Sequence, residues 1–391
     1  MIRLPINKLK PGMVTAQSIY NQKGASYLTR GTKLSRQYIN RLRKIGISKV
    51  TITSLDPNLS LLPPEDIIKE ETRVTAIHQV FNAYCRLQQD EHLDIPPLLS
   101  TSESIIEDLI QKPENLVQIT DIRLYDDYTF AHSVNVAALS AMLGLLCHYS
   151  KKDLMTLTAG ALLHDIGKLD VPPKILNKTT ALSDEEFTLI RHHPEWGYQR
   201  LLHIQDSNLN MKAIADIAYQ HHEHLDGHGY PNHLVEEQIS EFARIVAITD
   251  VYDALTTQRP YKKAYSPHIA YKIMTKCSGK QFDPLLLDLF FNHVALFPIG
   301  TVLKTALGYA IVKSTTIGMT KYPKVILFAD SNRRLLNTPV TMEVSQQEPG
   351  FIESVLDGSS RPRFYPWNAE ILPCMISGNE GYQIYLCTDG I

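Results

Sequence analysis

Eleven of the 15 histidines lie between His132 and His233, about a quarter of the 391-residue chain. Histidine is the commonest metal ligand, and here it occurs beside carboxylates and in adjacent pairs. The candidate ligands are His132, His164, Asp165, His193, His221, His222 and Asp250. These nitrogen and oxygen ligands are too many for one tetrahedral zinc, and they suit two octahedral ions with Asp165 as a bridge and a water completing the shell. Because no cysteine belongs to the set, iron or manganese fits it best.

Each of these signals also has a structural explanation when it is taken alone. His132 lies in an apolar helix, where a hydrogen-bonded core histidine is the commoner case. Pro194 interrupts the helix that holds His193, and the adjacent histidines at 221–222 suit a helix end. Asp250 lies on the apolar face of its helix, so its burial requires a cation or several hydrogen bonds. The predicted metal site therefore rests on the whole set.

The chemistry that such a set supports is attack on a phosphodiester. Two metal ions about 3.5–4 Å apart polarise the phosphoryl oxygens, and a hydroxide that bridges them is the in-line nucleophile. Asp165 would hold both ions, while Lys168, Arg259 and Lys262 would neutralise further phosphate charge. The residues thus predict a metal-dependent phosphohydrolase and leave its substrate open.

Composition limits the class of protein that holds this site. The chain is 44% hydrophobic and 20% charged, which predicts two or three globular domains. Its formal charge of −2 argues against DNA, RNA or an anionic membrane as partner. The longest apolar stretch, residues 134–147, is too short to insert across a bilayer, and the first residues do not form a signal peptide. We therefore expect a cytoplasmic protein.

Hydrophobic patterning divides the chain into four segments. It predicts a small β-rich module at 1–55, a linker and helix at 56–97, a helical domain at 98–297 and a small β module at 298–391. The apolar stripe of the 65–89 helix suits a connecting helix and permits a homodimer. The fold class is therefore α+β multidomain, with an all-α centre flanked by β-rich modules.

Helix starts within the central domain are marked by capping residues. Ser183 and Glu186 form a predicted capping box, and Asp283-Pro284 pairs a capping side chain with a first-turn proline. These signals place helix beginnings independently of the candidate ligands.

The central domain resembles the HD-GYP domain, a branch of the HD phosphohydrolase superfamily, in four ordered motifs. These motifs are HDIGK at 164–168, RHHPEWG at 191–197, HHEHLDGHGYP at 221–231 and ARIVAITDVYDALTTQRPY at 243–261. The resemblance covers about residues 120–297. It implies an HD-type helical bundle and a hydrolase of bacterial signalling, a cyclic di-GMP phosphodiesterase that releases linear pGpG or GMP.

The resemblance also assigns roles to individual residues. It makes the seven candidate ligands a binuclear metal centre, and it places the phosphate and guanine contacts on Lys168, Asp253, Arg259 and Lys262. The GYP loop of the family corresponds here to Asp226, Gly229, Tyr230 and Pro231. The resemblance implies that this loop forms a lip beside the metals and a docking surface for GGDEF-domain proteins. The residues alone suggest a tight turn that buries a ring. Asp226 would belong to this turn or orient a ligand histidine.

Two departures from the family pattern affect the prediction. Some members bind a third metal through an acidic residue four positions before the first histidine, where this chain has Tyr128. We therefore expect two metals and release of pGpG. His224 and His228 replace an arginine and a small residue, and we expect them to face solvent, the alternative being a weak additional metal contact.

Two other functions compete with the phosphodiesterase. One is a non-catalytic cyclic di-GMP sensor or scaffold, and the other is an HD hydrolase of another nucleotide. The ligand set lacks no member, which favours the enzyme, and the loop at 221–231 favours cyclic di-GMP.

Overall fold

The computed structural model describes residues 2–16, 18–20, 26–45, 47, 49–52, 67–89, 92–111, 128–176, 178, 180–204, 206, 208–257, 264–344 and 350–356. The chain divides into two compact units. One is made chiefly of Asp66–His293, and the other contains Met1–Asn21, Ser26–Glu65 and Val294–Ile391. Arg259 and Lys262, which the resemblance places at the substrate, lie outside the described residues.

The N-terminal part of the second unit pairs short strands around one helix. Strand β1 (Ile2–Pro5) pairs antiparallel with β4 (Lys49–Ile52), and β2 (Ile19–Tyr20) pairs antiparallel with β3 (Ser26–Leu28). Helix α1 (Arg36–Lys44) begins where the Ser35 side chain accepts a hydrogen bond from the Tyr38 amide. Its buried residues Ile39 and Leu42 join a core with residues of the strands and loops.

The C-terminal part of the same unit is a five-stranded antiparallel sheet in the order β8-β7-β6-β5-β9. Its strands are β5 (Val302–Thr305), β6 (Gly308–Ser314), β7 (Lys324–Asp330), β8 (Leu335–Glu343) and β9 (Ile352–Leu356). Val302, Tyr309 and Phe328 belong to a small hydrophobic core of this sheet. The strands predicted beyond residue 298 are thus confirmed as an antiparallel sheet, and the remainder of the predicted β module, residues 345–349 and 357–391, lies outside the described residues.

The first unit is helical. Its helices are α2 (Glu70–Gln88), α3 (Ile95–Gln111), α4 (Tyr128–Leu146), α5 (Lys151–Leu163), α6 (Pro173–Leu176), α7 (Asp184–Ile190), α8 (His193–Leu202), α9 (Met211–Gln220), α10 (Glu241–Thr256), α11 (Pro267–Thr275) and α12 (Pro284–Asn292). The capping box of Ser183 and Glu186 is present at α7, and Asp283 accepts the amides of Leu285 and Leu286 at α12. Local hydrogen-bonding rules therefore predicted these two helix starts correctly.

Helices α4 and α5 form the centre of this unit, where α4 packs on α10 and α5 packs on α9. Val134, Leu139 and Leu143 on α4 are fully buried, and so are Leu157 and most of the last two turns of α5. A helix that is apolar on all sides is buried by its neighbours. Among the described residues, no helix combines the length and apolar character needed to cross a bilayer.

Helix α2 packs against α3 and α4 of the same unit. Its apolar stripe, which includes Ile77, Val80 and Tyr84, is buried there. Phe130 at the start of α4 meets Phe81 and Tyr84 of α2 edge to face. The stripe is therefore covered by the chain itself rather than open to a second copy.

Candidate metal centre

The histidine-aspartate pair lies at the end of α5, where the helix gives way to a tight 3-10 turn over Ile166–Asp170. His164 is the C-terminal cap of the helix, and Asp165 precedes the turn. Both side chains are buried, at 0% and 1% exposure. Burial of a carboxylate in this position requires compensating charge or hydrogen bonds.

The structure brings all seven predicted ligands together in two groups. One group is His132, His164 and Asp250, and the other is Asp165, His193, His221 and His222. Within each group the ligand atoms lie within 4.8 Å of one another. Five elements supply them, namely α4, the end of α5, the start of α8, the end of α9 and, for Asp250, α10.

Asp165 faces both groups at once. Its Oδ1 lies 3.3 Å from His193 Nε2 and 3.7 Å from His221 Nε2, whereas its Oδ2 lies 3.4 Å from His164 Nε2. The two oxygens therefore point to opposite groups, as a carboxylate that bridges two cations would.

The protonation of the histidine rings follows from their hydrogen bonds. A backbone carbonyl can only accept, so a neutral ring whose Nδ1 contacts one carries its proton there and leaves Nε2 bare. This applies to three rings, whose contacts are His164 Nδ1 to Ala161 O (2.8 Å), His193 Nδ1 to Ile190 O (2.7 Å) and His221 Nδ1 to Ala218 O (2.9 Å). Each of these rings directs a bare nitrogen toward the site.

Several of these bare atoms meet other acceptors, which is unfavourable without a cation. His193 Nε2 and His221 Nε2 are 3.4 Å apart, and neither carries a proton to share. His164 Nε2 and Asp165 Oδ1 are buried without a hydrogen-bond partner. Buried polar atoms without partners are rare in folded proteins. The donor set and its geometry therefore fit divalent cations.

Burial and nearby charges keep most of the candidate ligands in the protonation state that binds metal. Burial lowers the pKa of His193, of His222, and of His221 to about 3, so these rings are neutral near pH 7. Although burial opposes it, the Lys168 ammonium holds the pKa of Asp165 well below its usual range. Neutral imidazole and ionised carboxylate are the forms that bind metal.

His132 differs from the other rings because both of its nitrogens face carboxylates. Its Nε2 lies 3.0 Å from Asp250 Oδ1, and its Nδ1 lies 2.7 Å from Asp253 Oδ2. Burial opposes protonation, but the hydrogen bonds to Asp250 and Asp253 raise the pKa of His132 to about 9. A cation between His132 and Asp250 would take the place of the Nε2 proton.

Asp253 lies behind His132, with 1% of its surface exposed. Its second oxygen, Oδ1, accepts from Asn135 Nδ2 at 2.8 Å and from Thr257 Oγ1 at 3.0 Å. Both oxygens are thus occupied by protein donors. This placement argues against the predicted guanine or phosphate contact, because a carboxylate buried behind a ligand histidine does not face the substrate.

The turn after Asp165 is held against α8 by a close approach of two glycines. A Cβ atom on Gly167 would lie 1.9 Å from His193 O and 2.4 Å from Gly197 N. Beyond the turn, Arg200 of α8 donates from Nε and Nη2 to the two oxygens of Asp170, each at 2.7 Å. These contacts fix the distance between the histidine-aspartate pair and His193.

Helix α8 supplies His193 because the chain changes direction just before it. Helix α7 ends at Ile190, and α8 begins at His193 with Pro194 in its first turn, where a missing amide costs no hydrogen bond. The predicted break is therefore a new helix start rather than a kink. His193 is 1% exposed and faces Asp165.

Lys168 extends from the 3-10 turn to Asp165 Oδ2, 2.5 Å away. A quarter of its side chain is exposed, whereas Asp165 is almost fully buried. Lys168 is therefore a cation at the boundary between the buried carboxylate and solvent, in a position to meet an incoming anion.

The GYP loop follows α9, and it is anchored by a residue that the sequence analysis did not single out. Glu223 is 2% exposed, and its two oxygens accept the amides of Asn232 (2.7 Å) and Leu234 (3.1 Å). Gly229 packs so closely on this anchor that a Cβ there would lie 2.4 Å from Glu223 Cα. The only signal for Glu223 in the sequence is its position directly after His221 and His222.

Asp226 belongs to the turn of this loop. Its Oδ1 accepts the amide of His228 at 3.2 Å and lies 3.3 Å from His228 Nδ1. The carboxylate thus contacts a side chain that is 82% exposed. Of the two roles considered for Asp226, the structure favours the turn over the orientation of a ligand histidine.

Replacing Glu223 with glutamine is expected to loosen the loop, because one carboxylate oxygen becomes an NH₂ group that faces a backbone donor. We expect loss of about 2 kcal/mol of local stability, equivalent to roughly 30-fold faster exchange of the Asn232 and Leu234 amides. Hydrogen exchange read by mass spectrometry or NMR measures this. Glu237→Gln, an exposed neighbour, is the matched control. Unchanged exchange at both amides would contradict the anchor.

Tyr230 and Arg191 form the rim of the site. His222 is the one candidate ligand that is only partly buried, so the site opens on its side. The Tyr230 ring stacks on His222 with centroids 4.8 Å apart, and the Arg191 guanidinium lies 4.7 Å above the Tyr230 ring. An exposed guanidinium over a ring at this edge is suited to anionic or planar groups.

The chain is similar to one domain family and to several known proteins. Residues 104–286 match the family model for the HD domain. The cyclic di-GMP phosphodiesterase PA4108 of Pseudomonas aeruginosa (strain PAO1) is 31% identical over 338 residues, which are 78% of this chain and 80% of that protein. The cyclic di-GMP phosphodiesterase response regulator RpfG of Xanthomonas campestris pv. campestris is 39% identical over 155 residues, 39% of each chain. The 3'3'-cGAMP-specific phosphodiesterase 3 of Vibrio cholerae is 36% identical over 171 residues, 44% of this chain and 36% of that protein.

A helical bundle that gathers histidines and aspartates from several helices into two groups sharing one carboxylate defines a protein of the HD class. The chain belongs to the HD-domain family, in its HD-GYP branch.

Proposed function

We propose that the chain is a metal-dependent phosphodiesterase that hydrolyses cyclic di-GMP to linear pGpG. The observation that carries the proposal is the buried pair of ligand groups that share Asp165, with His193 Nε2 and His221 Nε2 only 3.4 Å apart and both bare. The substrate is supported by the relative PA4108, whose alignment with this chain covers 80% of its length.

In this proposal each residue has a physical task. Two divalent ions, iron or manganese by ligand preference, would supply Lewis-acid stabilisation of phosphate charge and lower the pKa of a water molecule. Asp165 holds the two groups at a fixed spacing, and His132, His164 and Asp250 complete one group. Lys168 places a positive charge beside the reacting phosphate.

Replacing Lys168 with methionine is expected to lower kcat/KM about 10²–10³-fold, because one cation that faces the phosphate is lost. Both metal ions should remain, since the amine binds no metal in this geometry. Steady-state kinetics and metal analysis of the same sample measure the two effects. Lys174→Met, an exposed lysine on the neighbouring helix, is the control. Loss of metal along with activity would make Lys168 part of the charge balance of the centre instead.

The experiment that tests the function combines metal content with turnover. The protein is purified anaerobically, its iron and manganese are counted per chain, and it is incubated with cyclic di-GMP. Two ions and the appearance of pGpG are expected, and full conversion to GMP would change only the product assignment. Two bound ions with nucleotide binding but no turnover would overturn the proposed catalytic function and favour a cyclic di-GMP sensor.

A second substrate, 3'3'-cGAMP, is favoured by the Vibrio cholerae relative that is specific for it. The two cyclic dinucleotides differ in one base, so the chemistry at the scissile phosphate is the same. The rim residues Tyr230 and Arg191 must therefore distinguish one base from the other. We expect kcat/KM to be higher for cyclic di-GMP. The reverse ratio, measured with both nucleotides on one preparation, would reassign the substrate.

We also propose that the protein is cytoplasmic and that its domains have the limits predicted from the sequence. We further propose that GGDEF-domain proteins dock on the GYP loop. The loop presents His228 at its surface, with Val235 exposed nearby. Pull-down of a purified GGDEF domain by the full chain, compared with a His228→Ala variant, tests the docking.

A further inference from the structure

We propose that Arg73 of α2 is a positioning residue for the metal centre and acts on His132 through Asn135 and Asp253. The inference rests on the proposed function, because it concerns the group formed by His132, His164 and Asp250. Arg73 is 4% exposed, and its Nη1 donates to Asn135 Oδ1. Asn135 Nδ2 donates to Asp253 Oδ1 at 2.8 Å, and Asp253 Oδ2 lies 2.7 Å from His132 Nδ1.

The chemistry of the two ends fixes the direction of this chain of hydrogen bonds. A guanidinium can only donate and a carboxylate can only accept. Asn135 must therefore turn its carbonyl to Arg73 and its amide to Asp253. Asp253 in turn accepts from His132 Nδ1, which leaves His132 Nε2 to face Asp250 Oδ1 at 3.0 Å.

Without Arg73, the Asn135 carbonyl loses the donor that holds it in this chain of contacts, and the amide is fixed by its bond to Asp253 alone. The amide is then freer to turn, and a turn away from Asp253 costs that carboxylate a hydrogen bond. Groups that bond to the far nitrogen of a ligand histidine fix its tautomer and orientation, and their loss typically costs 10–100-fold in metal affinity. Arg73 fixes the orientation of His132 in this way through two intervening residues, Asn135 and Asp253.

The packing around Arg73 supports a fixed position. Helix α2 meets the start of α4, where Phe130 lies between Phe81 and Tyr84, two residues before His132 in sequence. Asn135 lies one helical turn after His132, so the aromatic contacts and the hydrogen bonds hold the same two turns of α4. A buried guanidinium requires such compensation by acceptors, and the Asn135 carbonyl is one of them.

The test is titration of the metal-free full-length chain with Mn²⁺, followed by electron paramagnetic resonance. The wild-type chain should bind two ions, whose proximity alters the spectrum. Arg73→Met should leave the group of Asp165, His193, His221 and His222 unchanged and weaken the other about 10–100-fold, giving a single-ion spectrum at low Mn²⁺. Arg73→Lys, which keeps one donor, should restore part of the affinity.

Two further variants separate positioning from general loosening. Val80→Ala, on the same helix and 1% exposed, removes packing without touching the hydrogen bonds, so it should destabilise the fold but bind two ions normally. Asn135→Leu interrupts the chain one step closer, and combining it with Arg73→Met should cause no further loss. Additive losses, or equal metal loss in Val80→Ala, would overturn the proposal.

A metal-free readout distinguishes this proposal from the proposed function. The His132 Nδ1 proton, assigned by its disappearance in His132→Gln, should exchange faster with solvent in Arg73→Met and not in Val80→Ala. If the wild-type chain bound no second ion, the binuclear function would fail while this NMR result still tested the hydrogen-bond chain. Unchanged exchange in Arg73→Met would overturn the role of Arg73 even in a fully active enzyme.

Discussion

Replacing Asp165 with asparagine is expected to reduce kcat/KM by at least ~10³-fold and to lower the metal content from two ions to one or none. The oxygens of this carboxylate face both ligand groups, with Oδ1 3.3 Å from His193 Nε2 and Oδ2 3.4 Å from His164 Nε2. A carboxamide has the same shape but no charge and only one acceptor oxygen. It therefore cannot hold a cation on each side.

The measurement is pGpG formation together with metal analysis, and the control is Asp216→Asn. Asp216 lies on α9 and pairs with Lys212, so the same chemical change is made outside the centre. Its activity and metal content should match the wild type within a factor of about 2. If Asp165→Asn kept two ions and turned over cyclic di-GMP, the bridging role would be wrong.

Replacing Gly167 with alanine is expected to have the largest effect on the fold of the site. The added Cβ would lie 1.9 Å from His193 O and 2.4 Å from Gly197 N, and both are backbone atoms that no rotamer change can move. The turn and α8 must separate, so we expect a loss of about 3 kcal/mol or more in the free energy of unfolding. Activity should fall with it, because Asp165 and His193 would move apart.

The matched control is Gly197→Ala on the opposite side of the same contact. There the nearest atom to an added Cβ is Gly167 N at 3.3 Å, and the others are side-chain atoms at 3.4 and 3.5 Å. A shift of a few tenths of an ångström relieves this contact, so the loss should be about 1 kcal/mol or less. Urea unfolding of both variants tests the asymmetry. Equal losses would contradict a backbone clash specific to Gly167.

The parts of the fold that the sequence predicts are those governed by local rules. Helix starts at Ser183 and Asp283 follow from hydrogen bonds that span only two or three residues. The strands beyond residue 298 follow from alternation and from glycine, which also act locally. The ligand residues were recognised because histidine and aspartate are chemically distinctive and recur in motifs.

The supporting residues could not be predicted in this way. Arg73 and Asn135 are 62 positions apart, and His132 and Asp253 are 121 apart. Sequence spacing carries no information on which helices meet, so the position of Asp253 behind the His132 ring could not be predicted, and its substrate contact was implied by the family resemblance alone. Glu223 was overlooked because its partners are backbone amides, which have no signature in the sequence. The apolar stripe of α2 was interpreted without the buried arginine that accompanies it.

His132 is held differently from His164, His193 and His221, and this has an evolutionary consequence. His193 and His221 are oriented by main-chain carbonyls, which every substitution at Ile190 or Ala218 would preserve. His132 is oriented by Asp253, a side chain that mutation can alter. Mutation of Asp253 during genetic drift can therefore alter how the ion beside His132 is bound, while binding of the ion in the other ligand group stays constant. Across related enzymes, metal preference and catalytic rate should diverge through that half of the centre first.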